Sequence, residues 1–158
     1  MRKNVIGSAG TGPRPQRSGK WLDVGQVAIV EVTSEHPEYP IESVFTFGKG
    51  PGWRASERGE QTVRLVFDLP QRLSRIWLHF SETEIERTQE FTLRWSAEQV
   101  GALREIVRQQ WNFSPHGATN EIEDYRVELS TVSVLELTIN PDLRRSETVA
   151  TLADWRLA

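Results

Sequence analysis

The stretch "QTVRLVFDLPQRLSRIWLHF" (Gln61–Phe80) decides the fold class, because apolar residues alternate with polar ones on both sides of a proline. Side chains at every second position share one face of a β-strand. The pattern therefore predicts two half-buried strands, and "PQR" (Pro70–Arg72) between them predicts a turn that makes them adjacent and antiparallel. The alternating apolar residues are Val63, Leu65, Phe67 and Leu69 in the first half and Ile76, Leu78 and Phe80 in the second.

The same two-residue period recurs outward from this stretch. It appears in four further runs, which are Gln26–Thr33, Phe91–Trp95, Tyr125–Leu129 and Leu135–Ile139. β-Branched and aromatic residues dominate these runs, turn signals separate them, and no strand–helix–strand rhythm is visible. This combination predicts an all-β protein, built either as an antiparallel β-sandwich or as a barrel.

One segment, "AEQVGALREIVRQQW" (Ala97–Trp111), fits two structures. A helix would align Val100 and Leu103 with Val107, whereas a strand would align Val107 with Gln109 and Trp111. Because Gly101 disfavours a helix, we predict a turn over residues 97–102 and a strand over residues 104–113.

Composition and charge fit one folded domain preceded by a basic leader. The chain has 158 residues, of which 37% are hydrophobic, and no cysteine, so no disulfide or thiol site exists. The first twenty residues carry five basic side chains and no acid, and they are rich in glycine, proline and serine. We predict that residues 1–20 form a flexible leader, with weak anion contact as the alternative, and that residues 21–158 form the domain. Since the whole chain carries −3, the domain carries −8, which argues against a nucleic-acid surface.

The chain also lacks the apolar segments that direct proteins to membranes. No window reaches the roughly 18 apolar residues of a membrane helix, and the N-terminus lacks the apolar region of a signal peptide. We therefore expect a soluble, cytoplasmic protein.

Five motifs occur in the order found in a known family. They are "VEVTSEHPEYPIESVF" (residues 30–45), "GWRAS" (52–56), Gln61–Phe80, "EFTLRWSAE" (90–98) and "LADWRLA" (152–158). Over residues 26–158 the chain resembles the discoidin, or coagulation-factor type C, family, whose galactose-binding-like sandwiches include many bacterial carbohydrate-binding modules. The resemblance implies a rigid jelly roll with its ligand among loops at one end.

Two departures from the family pattern bear on ligands. Family members often carry an Asp-Gly pair beside a structural calcium in the first loop, but no acid lies between Phe45 and Trp53 here. Structural calcium is therefore not supported, and no histidine or carboxylate spacing resembles a metal site, so we expect no cofactor. The apolar loop tips of lipid-binding relatives are also missing, so membrane attachment is not expected.

The loops offer the groups that a sugar needs. Sugar recognition combines an apolar surface against C–H groups with planar hydrogen-bonding side chains aimed at hydroxyls. The resemblance places Trp53 as an anchor of the sandwich end rather than as a ligand platform. Trp77 and His79 could form a binding surface on a sheet face, but we expect a neighbouring strand or loop to cover them. The candidate ligand-binding residues are Tyr39, Arg54, Glu84, Arg87, Asn112 and His116.

Catalysis has little support in the sequence. The nucleophile elbow and the phosphate-binding glycine loop are both missing, and Glu82 with Glu84 offers a glycosidase-like pair without an evident cleft. We therefore predict a binding module and no enzyme. Its ligand is predicted to be a carbohydrate held by the loops, with an intracellular protein-interaction or assembly module as the alternative and the oligomeric state left open.

Overall fold

The computed structural model describes residues 1–5, 17–18 and 21–158, and β-strands form most of it. A four-residue α-helix, α1 (Val24–Val27), precedes the fourth strand, and a 3-10 helix (Ile41–Phe45) follows it. The strands are β1 (Arg2–Val5), β2 (Arg17–Ser18), β3 (Trp21–Leu22), β4 (Ala28–Val32), β5 (Trp53–Arg58), β6 (Gln61–Ser81), β7 (Arg87–Ser96), β8 (Arg104–Phe113), β9 (Asn120–Asn140), β10 (Val149–Leu152) and β11 (Asp154–Leu157). No helix in this described part of the chain is long and apolar enough to cross a membrane.

Two strands of 21 residues each, β6 and β9, pass from one layer of the sandwich to the other. The larger layer has the order β1-β4-β6-β9-β7-β8 and uses the first half of β6 with the second half of β9. The other layer pairs the second half of β6 with the first half of β9 on one side and with β11 on the other. Phe80 on β6 stacks on Phe91 of β7 with ring centroids 5.2 Å apart, although the two strands do not pair. The two layers therefore meet in one core.

The predicted turn at Pro70–Arg72 is wrong. The chain continues through it as part of β6, with register shifts against β9 between Val66 and Arg75. Proline lacks a backbone N–H, so it is tolerated where a strand is irregular. The two predicted strands are thus halves of one bent strand, and both pair with β9 rather than with each other. The irregularity also turns Leu69 outward, to 44% exposure, instead of into the core as predicted.

Elsewhere the two-residue alternation agrees with the observed burial. Ala28, Val30 and Val32 of β4 are fully buried, as are Ile76, Leu78 and Phe80 in the second half of β6. The ambiguous segment forms β8 over residues 104–113, as predicted, with Val107, Gln109 and Trp111 partly buried. The predicted strand at Gln26–Thr33 is shorter, because α1 takes its first residues.

Trp53 anchors the end of the sandwich, as the sequence suggested. Its side chain is 1% exposed, and its indole Nε1 donates a hydrogen bond to the carbonyl of Ser34 at 3.0 Å. A buried indole with its N–H satisfied is part of the core and cannot serve as an exposed platform for a ligand.

The first residues of the chain are part of the fold. Residues Arg2–Val5 pair in parallel with β4, which differs from the flexible leader predicted for residues 1–20. Two basic side chains of this segment form ion pairs with acidic residues of the domain. Arg2 pairs with Asp68, and the Lys3 ammonium lies 2.9 Å from the Glu35 carboxylate. Residues 6–16 and 19–20 of the predicted leader lie outside the described residues.

The turn into Trp53 depends on glycine. Gly52 has φ +85°, and a Cβ added there would lie 2.8 Å from the carbonyl oxygen of Leu152. A left-handed backbone alone costs other residues roughly 1–2 kcal/mol. We expect Gly52→Ala to lower the free energy of unfolding by more than that, because the clash adds to the backbone cost.

Gly59 provides the matched control for this prediction. Its φ is +80°, and an added Cβ would meet nothing within 4 Å, so Gly59→Ala isolates the backbone cost. Urea denaturation of both variants gives the two losses. Equal losses would show that the approach to Leu152 has no effect.

Candidate ligand-binding site at the loop end

A depression of about 320 Å³ lies where three segments meet at one end of the sandwich. The segments are the β6–β7 loop, the segment 141–148 that precedes β10, and the paired strands β5 and β10. We call it the loop-end depression. Ile85 and Val149 contribute apolar surface, and its polar lining consists of Arg54, Glu82, Glu84, Arg145, Glu147, Thr148 and Thr151.

Two of the predicted ligand-binding residues, Arg54 and Tyr39, are in contact with each other. The Arg54 N–H donates to the Tyr39 carbonyl at 3.2 Å, and the His36 N–H donates to the Arg54 carbonyl at 2.7 Å. The Arg54 guanidinium also lies 5.0 Å from the centre of the Tyr39 ring, within cation–π range. The backbone and the ring together direct an exposed arginine along the wall of the depression, where Glu84 is also located.

Arg87 does not face the ligand space, which corrects its predicted role. Its side chain is 0% exposed, and all three guanidinium nitrogens are engaged within the protein. Nε donates to Glu82 (2.8 Å), Nη1 to the carbonyl of Pro141 (2.8 Å) and Nη2 to the Thr151 hydroxyl (3.3 Å). These partners belong to the three segments that line the depression. Arg87 therefore fixes the walls from beneath, and its guanidinium lies 4.6 Å from the centre of the Phe113 ring.

Like Arg87, Glu82 is hydrogen-bonded within the segments that line the depression. Its second carboxylate oxygen accepts the backbone N–H groups of Glu84 (3.0 Å) and Ile85 (3.3 Å). Partial burial acts to raise the pKa of the Glu82 carboxyl, but the hydrogen bonds from Glu84, Arg87 and Ile85 outweigh it and hold the pKa below its usual value. Glu82 is therefore ionised near neutral pH.

Four lining side chains remain available to a ligand. Those of Arg54, Glu84, Arg145 and Glu147 make no hydrogen bond or ion pair with any described residue. Two are cations and two are anions, so the free groups have no net charge. Among the described residues no three histidine or carboxylate groups are placed to hold a metal ion. The arrangement offers donors and acceptors side by side without favouring a charged ligand.

Asn112 and His116 do not join the loop-end depression, although both were predicted as site residues. Asn112 lies on β8 opposite Thr88, whose hydroxyl donates to its side-chain oxygen at 2.8 Å. His116 is exposed in the tight turn between β8 and β9. Conversely, sequence reasoning missed Arg145 and Glu147, because the segment that carries them has no periodicity, and only its charge density singles it out.

A buried polar chain continues from Arg87 into the sandwich. Arg87 donates to the side-chain oxygen of Gln89 (3.0 Å), and Gln89 donates to the carboxyl of Glu121 (3.1 Å), which is 0% exposed. Burial, together with the neighbouring carboxylate of Glu123, raises the pKa of Glu121 to about 9. This carboxyl is therefore neutral at neutral pH.

The outer face of β6 is partly covered by side chains of neighbouring elements. Arg156 of β11 places its guanidinium 4.8 Å from the centre of the Trp77 ring and pairs with Asp154 at 2.7 Å. The ring of Trp21 lies 5.9 Å from the same guanidinium, and His79 hydrogen-bonds Asn120 at 2.8 Å. Trp77 and His79 thus serve packing between neighbouring elements.

Comparison with solved structures identifies the fold. No protein-family model matches the chain, and no curated protein matches it by sequence. A Ruminococcus gnavus GH29 fucosidase in complex with fucose matches with a TM-score of 0.63 at 10% identity over 82% of this chain, which spans only 25% of the fucosidase. The family 32 carbohydrate-binding module of C. perfringens NanJ, in complex with galactose, matches with a TM-score of 0.62 at 12% identity over 87% of this chain and 96% of the module. A further Clostridium perfringens module of family 32, in complex with GalNAc-β-1,3-galactose, gives 0.61 at 15% identity over 87% and 99%.

These similarities define the class to which the fold belongs. The chain is an antiparallel β-sandwich of the galactose-binding-like type, the fold of the family 32 modules. The all-β class predicted from the period-2 pattern and the sandwich implied by the family resemblance are thereby confirmed.

Proposed function

We propose that this chain is a non-catalytic carbohydrate-binding module that takes a neutral sugar residue in the loop-end depression. The observation that carries the proposal is that side chains of opposite charge, unpaired within the described part of the chain, line the walls of one depression. Arg54 and Glu84 are the most important of them. Its volume of about 320 Å³ lies at the small end of the range of roughly 300–1,000 Å³ for small-molecule sites.

The chemistry of the lining suits a sugar. Each hydroxyl both donates and accepts hydrogen bonds, so a guanidinium and a carboxylate can hold neighbouring hydroxyls together. Ile85 and Val149 offer apolar surface to the C–H groups of the ring. A uronic acid would gain from the two arginines but would face the carboxylates of Glu84 and Glu147, whereas a neutral sugar faces no such repulsion.

The hydrogen bonds that hold the three lining segments together are present before a ligand binds, and this favours binding. Arg87 and Glu82 hold the three lining segments by hydrogen bonds of 2.8–3.3 Å, so the segments themselves need little ordering on binding. The structural neighbours bound to fucose, galactose or GalNAc-β-1,3-galactose support the same class of ligand.

The state of Glu82 supports binding without catalysis. A glycosidase of the usual kind needs one carboxylic acid that carries a proton at working pH and a second carboxylate nearby. Glu82 accepts three hydrogen bonds on its two carboxylate oxygens, and its pKa is held low, so it has no proton to donate as the acid, and neither oxygen is unoccupied for the role of the second carboxylate. The glycosidase pair of Glu82 and Glu84 that the sequence suggested is therefore not favoured.

Removing Arg54 tests the proposal. We expect Arg54→Ala to weaken binding of a glycan selected by array screening about 10- to 100-fold, because hydrogen bonds to charged groups contribute about 1.5–3 kcal/mol. Isothermal titration of the wild type and the variant measures the change. His116→Ala is the matched control, since this exposed loop residue lies outside the depression, and it should bind like the wild type.

Two results would contradict the proposal. One is the absence of any glycan bound by the wild type on the array. The other is a stoichiometric protein partner, captured from native cell extract, whose binding requires Arg54 and is unaffected by sugars. The second result would instead favour the protein-interaction interpretation.

A further inference from the structure

A second depression, of about 420 Å³, lies at the other end of β7, beside the β7–β8 loop. Arg87 and Trp95 are the first and ninth residues of β7, so at about 3.3 Å per residue roughly 26 Å separates this depression from the floor of the loop end. We call it the hairpin depression. Its lining includes Trp95, Ser96, Glu98, Arg104, Ser130 and Thr131.

Trp95 supplies an aromatic surface that the loop-end depression lacks. Trp95 is partly buried, packs against the core and lines the hairpin depression. The Arg104 guanidinium, on the paired residue of β8, lies 5.9 Å from the ring centre. An indole held by the core and flanked by a guanidinium is suited to pack against the C–H face of a sugar ring.

Four polar groups of the lining are free to bind a ligand. The Glu98 carboxylate, the Arg104 guanidinium and the hydroxyls of Ser130 and Thr131 make no hydrogen bond or ion pair within the part of the chain that the structure describes. They come from three separate elements, namely the β7–β8 loop, strand β8 and the middle of strand β9. Together they provide donors and acceptors around one ring, with one positive and one negative charge.

The loop that carries Glu98 is held in place. The Ser133 hydroxyl donates to the Ala97 carbonyl at 2.8 Å, and the Glu98 N–H donates to the Ser96 hydroxyl at 3.1 Å. Gln99 ties the far side of the loop to the Phe67 carbonyl at 3.1 Å. The walls of the hairpin depression are therefore built before any ligand arrives.

We propose that the hairpin depression is a second carbohydrate-binding site, in which a neutral sugar residue lies against Trp95 and hydrogen-bonds Arg104 and Glu98. The ligand class rests on the proposed function, whereas the location rests on the lining alone. The module would then engage glycan at both ends of the sandwich, which raises its avidity for a surface with many sugar chains.

NMR titration of the full ¹⁵N-labelled chain tests this proposal. The probes are D-galactose, D-glucose, L-fucose and N-acetyl-D-glucosamine, and the reporter is the indole N–H signal of Trp95, assigned with Trp95→Phe. We expect at least one sugar to shift this signal together with the Thr131 amide, and Arg104→Ala to weaken that response at least tenfold. Arg108→Ala is the matched control, because this exposed arginine on the same strand pairs with Glu90 and lies outside the lining.

The outcomes for the two sites are distinguishable. Titration of Arg54→Ala should leave the Trp95 response intact. Shifts at the Trp95 signal without shifts near Arg54 would support the hairpin depression and count against the proposed loop-end site. Shifts confined to the loop-end segments, or no shift of the Trp95 signal with any of the four sugars, would overturn the second site.

Discussion

Replacing Arg87 with alanine is expected to lower the free energy of unfolding by about 3–5 kcal/mol, the cost of breaking a buried ion pair by removing one partner. The Arg87 guanidinium is fully enclosed, and its loss removes the donor from one carboxylate oxygen of Glu82, from the side-chain oxygen of Gln89 and from the Pro141 carbonyl. The sugar binding that we propose for the loop end should be lost even where the variant is folded, because all three lining segments lose their common contact. Urea denaturation and titration with the selected glycan measure the two effects.

Two further variants test whether the effect depends on the buried position of Arg87 and on the shape of its guanidinium rather than on the positive charge alone. Arg108→Ala removes an arginine whose side chain is 48% exposed, and it should leave the unfolding midpoint within error of the wild type. Arg87→Lys keeps the charge, but a single ammonium cannot reach Glu82, Pro141 and Thr151 at once, so we expect it to bind sugar nearly as poorly as the alanine variant. An Arg87→Ala protein as stable as wild type, or one that binds sugar normally, would refute the assigned role.

The role of Arg87 also shows why the candidate site could be predicted only in part. Its sequence context is an acid-rich hairpin, which is typical of a solvated surface. Its burial depends on Pro141 and Thr151, which are 54 and 64 residues away in the chain. Local patterns carry no information about such contacts. Arg54 was predictable because its neighbour, Trp53, carries a recognisable signal for the end of the sandwich.

For the fold, too, local patterns predict some features, whereas features that depend on contacts between distant residues are not predictable from them. The period-2 pattern predicts which side chains of β6 face the core, since alternation is a property of the strand itself. The pattern does not show which strand pairs with which. Pro70–Arg72 has the composition of a hairpin turn, yet pairing with β9 on both sides keeps β6 continuous. Distinguishing a turn from a bulge here required the partner strand, which lies far along the chain.

Glu121→Gln is expected to stabilise the protein at neutral and alkaline pH. The folded chain keeps the Glu121 carboxyl protonated up to about pH 9, because burial and the Glu123 carboxylate raise its pKa from 4.5. The unfolded chain releases the proton near pH 4.5. Between these two values the folded state binds more protons, so the wild type loses stability as pH rises, by at most about 1.4 kcal/mol for each pH unit.

The Glu121→Gln variant should therefore become increasingly more stable than the wild type as the pH rises from 4.5 to about 9. A glutamine has nearly the same shape, can still accept the hydrogen bond from Gln89 and can donate to Glu123, but it releases no proton. Unfolding midpoints measured from pH 4 to pH 9 should coincide near pH 4.5 and diverge steadily above it, with the variant higher. Glu128→Gln, which is the same substitution at an exposed position on the same strand, should follow the wild-type profile. A Glu121→Gln protein less stable than wild type at pH 8 would show that the buried carboxyl is ionised, and the chain from Arg87 through Gln89 would then end on a charge rather than on a neutral acid.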